Sequence, residues 1–202
     1  DLIIKSGIKY VVIGAIDPNP LVKGRGIQKL VSAGVDVKVG ILEYACQELN
    51  RRFYIFFEKK RPYIILKWAE TQDRCMGTRE RRMQISGPKA QKLQHQWRGE
   101  EQAILVGTNT ALIDNPRLTV RTVKGKNPLR VALDRKLRIP LTHRLLDGAA
   151  PTLIFSGKPR QPEANLDFVV IDFSKNVLRQ VLSELHRRNI QSNHRIQHSG
   201  NN

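Results

Sequence analysis

Lys67 stands inside an apolar run, I-I-L-K-W-A over residues 64–69, where an unpaired buried ammonium would be costly. Its side chain must snorkel to solvent or face a polar cavity. His95 and Arg98 are three apart and share one face of a helix. A lone histidine in that setting serves structure as readily as chemistry. The run G-T-N-T-A-L-I-D-N-P-R-L-T-V-R over residues 107–121 joins a strand end, a Gly-Thr turn, a short helix, Asp114 and Arg121. Ligands of α/β sheets sit at strand ends. The amides and hydroxyls of Thr108 and Thr110 suit a cofactor phosphate or ribose, and the planar fork of Arg121 suits a phosphate. The same run also reads as a plain structural turn.

The elements that must position these residues follow from the apolar pattern. Short β-branched runs at residues 10–14, 63–69, 103–107, 129–134, 152–156 and 168–172 predict buried strands. Helical stripes lie between them: Ile27, Leu30 and Val31; Leu42, Ala45, Cys46 and Leu49; Val177, Val181, Leu182 and Leu185, the last with Ser174 as the expected N-cap. Alternating strands and helices give an α/β fold class. A basic, turn-like junction at residues 58–62 is the expected domain boundary, leaving a first part with one clear strand, too little for a sheet of its own.

Composition narrows the partners. The 202 residues carry 35 Lys and Arg against 18 Asp and Glu, a net charge of +17. That balance favours an anionic partner. The positive charge is dispersed, densest at residues 59–61 and 74–82, with no helix-turn-helix or aromatic RNA-binding pattern beside it, so a generally basic surface with a few arginines for phosphate is favoured over nucleic-acid binding. Cys46 and Cys75 have no companions and build neither a disulfide framework nor a thiolate zinc site; both are expected reduced, Cys46 in the core. With no apolar run long enough for a membrane span and no signal-peptide pattern, the expected location is the cytoplasm.

The order L-K-x-A, H-x-x-R, V-G-x-x-T-x-x-x-D-N-P-x-L-T-x-R, P-L-R-V-x-L-D resembles the reductase domain of the bifunctional riboflavin-biosynthesis deaminase/reductases. The opening D-P-N-P-L-V-K-G-R-G (residues 17–26), with A-G-V-D-V-K-V-G-I-L-E and L-N-R-R-F, is similar to the end of their deaminase domain. The resemblance implies a dihydrofolate-reductase-like domain over residues 59–192, preceded at residues 1–58 by the C-terminal remnant of a cytidine-deaminase-like domain. It implies NADPH as hydride donor and 5-amino-6-(5-phosphoribosylamino)uracil as substrate, its ribose reduced to a ribityl chain. By residue, it places Lys67 and Asp114 at the reacting centre, Thr110 and Asp114 against the cofactor, and Ser86, Arg98, Leu118 and Arg121 against the substrate. It also implies self-association of the reductase domain.

The His-x-Glu and Cys pair that hold zinc in such deaminases do not occur in this sequence, so zinc and deamination are not expected of it. Other departures concern the reductase. Gln72, Asp73 and Arg74 replace Leu-Asp-Gly, Gln84 replaces a tryptophan, and residues 193–202 form a polar tail where the family continues into a strand and a Glu-Gly-Gly turn. The expectation is a member cut at both ends, with an unpaired hydrophobic sheet edge, weak folding or reliance on a partner, and impaired reduction. A non-catalytic relic and a basic nucleic-acid-binding protein are the alternatives.

Overall fold

The computed structural model describes residues 1–77 and 83–196, the last four by backbone alone. Residues 78–82, which hold part of the basic stretch at 74–82, and residues 197–202, the end of the expected polar tail, lie outside the described residues. The chain divides into two compact units, Asp1–Arg61 and Pro62–Asn202.

In the first unit the helix α1 (Leu2–Lys5) precedes β1 (Tyr10–Ile13), α2 (Arg25–Ser32), β2 (Asp36–Val39), α3 (Glu43–Leu49) and α4 (Arg51–Lys59). Sequence reading expected a single strand here, but β1 pairs in parallel with β2, Tyr10 opposite Asp36. The polar residues Asp36 and Lys38 alternate with valines, which hid β2 from a search for apolar runs. The loop at residues 17–26 is stitched by side chains that mimic backbone turns: Asp17 Oδ1 accepts from Asn19 N at 2.8 Å, and Asn19 Oδ1 from Leu21 N at 3.0 Å. Cys46 is half-buried rather than in the core. Its thiol fills the space beside Gly14, where an added Cβ would come within 2.2 Å of Sγ.

The second unit is built on a six-stranded parallel sheet in the order β3-β8-β4-β5-β6-β7. Its strands are β3 (Tyr63–Lys67), β4 (Ala103–Gly107), β5 (Leu129–Leu133), β6 (Thr152–Ser156), β7 (Leu166–Val170) and β8 (Ser192–Ile196); its helices are α5 (Pro88–Glu100), α6 (Thr108–Asp114) and α7 (Val177–Arg187). A 3₁₀ turn at Arg144–Leu146 lies between β5 and β6. Period-two alternation sends side chains to both faces. Ile104, Val106, Ala132 and Ile154 pack with Ala111, Leu118 and Leu145 on one face; Ala103, Leu105, Val131, Leu153 and Phe155 pack with Val181 and Leu185 of α7 on the other. Both faces are covered, which is why β4 and β6 read as continuous apolar runs.

Local sequence sets the helix ends. Pro88 opens α5 after the extended Gly87. Asn176, and not the expected Ser174, caps α7, its Oδ1 accepting from Arg179 N at 3.0 Å. Ser174 instead donates its hydroxyl to Asp172 Oδ1 at 2.6 Å. β7 begins at Leu166, two residues before the expected start, because Thr152 N donates to Asn165 O and fixes the register against β6.

The largest departure is β8. The expected open edge does not form, because Ser192–Ile196 inserts between β3 and β4 and pairs in parallel with both. Its entry is pinned: Gln102 N donates to Ser192 Oγ at 3.1 Å, Gln191 N to Gln102 Oε1 at 2.6 Å, and Tyr63 N to Gln191 O at 2.8 Å. β3 and β4 are not paired to each other, so the slot between them offers backbone partners on two sides to any segment delivered there by α7. Backbone hydrogen bonding, and not apolar pattern, makes this strand.

Candidate functional site

A cleft of about 330 Å³ opens at the C-terminal ends of β3 and β4, where parallel sheets place ligands. Lys67 is the last residue of β3 and projects into the cleft, half-buried, between the exposed Leu66 and Trp68. Its strand position settles the choice between solvent and cavity in favour of the cavity. α5 contributes His95 and Arg98, both buried; α6 contributes Thr110 and Asp114, four apart on one face; the loop after α6 contributes Leu118 and Arg121. Ser86 lines the opposite wall, its carbonyl held by Gln84 Nε2 and Gln91 Nε2, each at 2.9 Å. The cleft therefore brings together Lys67, Ser86, Arg98, Thr110, Asp114, Leu118 and Arg121. Thr108 is not among its lining residues: its hydroxyl donates to Leu133 O at 2.5 Å and ties α6 to β5.

The electrostatics are set by two arginines that share one anchor. Arg98 Nη1 donates to Thr119 O at 2.9 Å, and Arg121 Nη1 reaches Thr119 Oγ1 at 3.1 Å and the same carbonyl at 3.4 Å. Two guanidinium groups thus converge on one residue. Burial, then the charge of Arg121, pulls Arg98 down to about 10, and its buried Nε has no partner among the described residues. His95 is pushed down to about 4 by burial and then by Arg98 and Arg121, so its ring is neutral near pH 7. In that state Nδ1 accepts from Arg121 N at 3.2 Å. The histidine positions the arginine without adding a third charge. Lys67 is lowered by burial first and by Arg98 second, with Asp114 opposing the shift.

The loop that carries Leu118 and Arg121 is conformationally strained. Asn115 and Leu118 both sit in the left-handed region, at φ 42° and 54°, which costs a non-glycine residue about 1–3 kcal/mol. Leu118 is held there by burial in the core and by the grip of Arg98 on Thr119 O. Arg74, where the resemblance puts a glycine, is also left-handed at φ 62°. The tight turn survives without the glycine, closed by Arg74 N donating to Thr71 O at 2.8 Å and Thr71 N to Cys75 O at 2.9 Å.

Sequence reading passed over a buried arginine behind this loop. Arg130, fully buried in β5, donates to Thr152 Oγ1, Ala150 O, Arg144 O and Asp147 Oδ1 at 2.7–3.0 Å and to Arg117 O at 3.4 Å. Asp147 feels burial, which would raise its pKa, but its bonds with Ala149 N and Arg130 keep it below its ordinary value. The available signal was the one that exposed Lys67, a single cation inside an apolar strand. Among the described residues no group of His, Cys, Asp and Glu is arranged to hold a metal, and no helix is long and apolar enough to cross a membrane.

Comparison with known proteins places this architecture. Residues 62–192 match the RibD C-terminal domain. The riboflavin biosynthesis protein RibD of Aquifex aeolicus is 42% identical over 169 residues, 82% of this chain and 48% of its own length; that of Synechocystis is 39% identical over 196 residues, 94% and 53%. The chain spans about half the length of the curated relatives it matches. The crystal structure of the diaminohydroxyphosphoribosylaminopyrimidine deaminase/5-amino-6-(5-phosphoribosylamino)uracil reductase of Thermotoga maritima superposes with a TM-score of 0.84 at 35% identity, covering 98% of this chain and 56% of that one. On this match in sequence and fold, the chain belongs to the RibD C-terminal domain family.

Proposed function

We propose that the cleft of the second unit reduces 5-amino-6-(5-phosphoribosylamino)uracil with NADPH, turning its ribose into a ribityl chain in riboflavin biosynthesis. The observation that carries this reading is the convergence of Lys67, Asp114 and the Arg98–Arg121 pair on one cleft, with Arg98 Nε buried and unpartnered among the described residues. Such a cleft suits an anionic, ribose-bearing ligand. NADPH, when bound, supplies a hydride. The carbon that receives it is C1 of the opened sugar, doubly bonded to nitrogen; as the new C–H bond forms, the C=N π pair moves to nitrogen, which takes a proton.

Lys67 is the group placed to hold that proton. Its lowered pKa eases release, and the Asp114 carboxylate opposes that shift. Arg98 and Arg121 grip the substrate phosphate as paired planar forks, and neutral His95 aims Arg121 through its backbone. Thr110 and Asp114 offer a hydroxyl and a carboxylate to the cofactor, while Ser86 and Leu118 line the space for the substrate. A nucleic-acid role is not favoured, since these cations meet in a concave site. We further propose that residues 59–192 act as the reductase domain and residues 1–58 as a deaminase-like segment with no part in this reduction.

The test follows NADPH absorbance when the purified 202-residue chain meets the substrate. Substrate-dependent oxidation is expected, and Lys67→Met should lower kcat by about 100-fold or more with KM little changed. A chain that binds both compounds yet oxidises no NADPH would sink the proposal.

A further inference from the structure

Arg117 and Arg144 line the same cleft from two different segments, the loop after α6 and the 3₁₀ turn before β6. Both are exposed, and neither guanidinium has a hydrogen-bond or ion-pair partner among the described residues. Unpaired surface arginines are ordinary; a backbone built to aim them is not. Arg130 Nη1 donates to the carbonyls of both, at 3.4 Å for Arg117 and 2.9 Å for Arg144, and Arg144 N donates to Asn115 Oδ1 at 2.8 Å. One fully buried side chain thus sets the spacing of the two. Arg117 is also flanked by the left-handed Asn115 and Leu118, so its direction is maintained against backbone strain. Asp147, the carboxylate whose field reaches Arg117, is already paired with Arg130 at 3.0 Å and leaves the positive charge of Arg117 available.

We propose that Arg117 and Arg144 form a second anion subsite of the cleft, separate from the Arg98–Arg121 pair, that takes a phosphate monoester dianion. Two guanidinium forks match a dianion in charge and offer it donors from two sides, whereas a carboxylate fills only one fork. This inference rests on the functional reading above, in which two ligands bring phosphate monoesters to the cleft: the 5-phosphate of the substrate and the 2′-phosphate of NADPH. If the first belongs to Arg98 and Arg121, the second falls to Arg117 and Arg144, and the subsite makes the enzyme prefer NADPH to NADH.

The experiment measures Kd for NADPH, NADH, the phosphorylated substrate and its dephosphorylated form on the 202-residue chain and on R117Q/R144Q, with melting curves to verify that both are folded. Wild type is expected to bind one phosphorylated compound at least tenfold tighter than its partner lacking the phosphate. The double variant should lose that preference while the partner compound's Kd stays within twofold. Loss in the nicotinamide pair assigns the subsite to the cofactor, and loss in the substrate pair assigns it to the substrate. Unchanged preferences in both pairs overturn the subsite and leave the reductase reading standing. Failure of wild type to bind any of the four overturns both.

Discussion

At the scale of the residue, the cleft brings cations close together on a shared anchor. Arg98 and Arg121 share Thr119 as an anchor, and each charge penalises the other. Neutral His95 completes the arrangement, and its depressed pKa has a consequence for stability. In the folded chain it titrates near about 4, against an ordinary value of 6.5 in the unfolded chain. Between these values the unfolded state binds more protons, so this contribution to stability rises with pH and is lost as the solution is acidified from 6.5 towards 4. His95→Asn, whose side-chain oxygen can replace Nδ1 as acceptor for Arg121 N, is expected to flatten the fall in melting temperature across that window. An unchanged slope in the variant would assign the acid sensitivity elsewhere. Arg74 teaches a different lesson: a residue where glycine was expected adopts the glycine conformation, because hydrogen bonds on both sides of the turn fix it.

At the scale of the element, the site is an assembly of strand ends and one strained loop, and the loop depends on Arg130. That side chain satisfies the carbonyls of Ala150 and Arg144 and the hydroxyl of Thr152, and neutralises Asp147. Replacing it strands these groups around a cavity. Arg130→Met should cost about 3 kcal/mol or more of unfolding free energy, read from urea denaturation, and Asp147→Asn clearly less, since the carbonyl bonds remain. A loss below about 1 kcal/mol for Arg130→Met would show that the clamp does not hold the loop. β8 illustrates the same dependence of an element on its surroundings. S-N-H-R-I is a poor strand by pattern, yet it occupies a central place because both neighbours present unpaired backbone.

At the scale of the whole molecule, the two units differ in how they bury apolar surface. The sheet of the second unit is covered on both faces, whereas the first leaves large side chains in solvent, with Leu42, Tyr44 and Leu49 exposed by 76%, 77% and 84%. Apolar side chains left in solvent offer binding places for hydrophobic dyes. Tyr44→Lys combined with Leu49→Lys should lower dye binding while moving stability by no more than about 0.5 kcal/mol per site. Dye binding equal to wild type would place the sticky surface elsewhere. The sequence by itself determined the α/β class and the strands at 103–107 and 152–156, because buried strands write apolar runs, and it set Lys67 apart as a single cation within such a run. Tertiary structure alone decided β2 and β8, whose stability lies in backbone pairing with distant segments, and the role of Arg130, whose partners lie 13 to 22 residues away. It also decided that Thr108 is structural and that Arg117 and Arg144 share a cleft. Local pattern records what a side chain prefers; only the folded chain supplies the partners that a buried polar group or an unpaired strand must find.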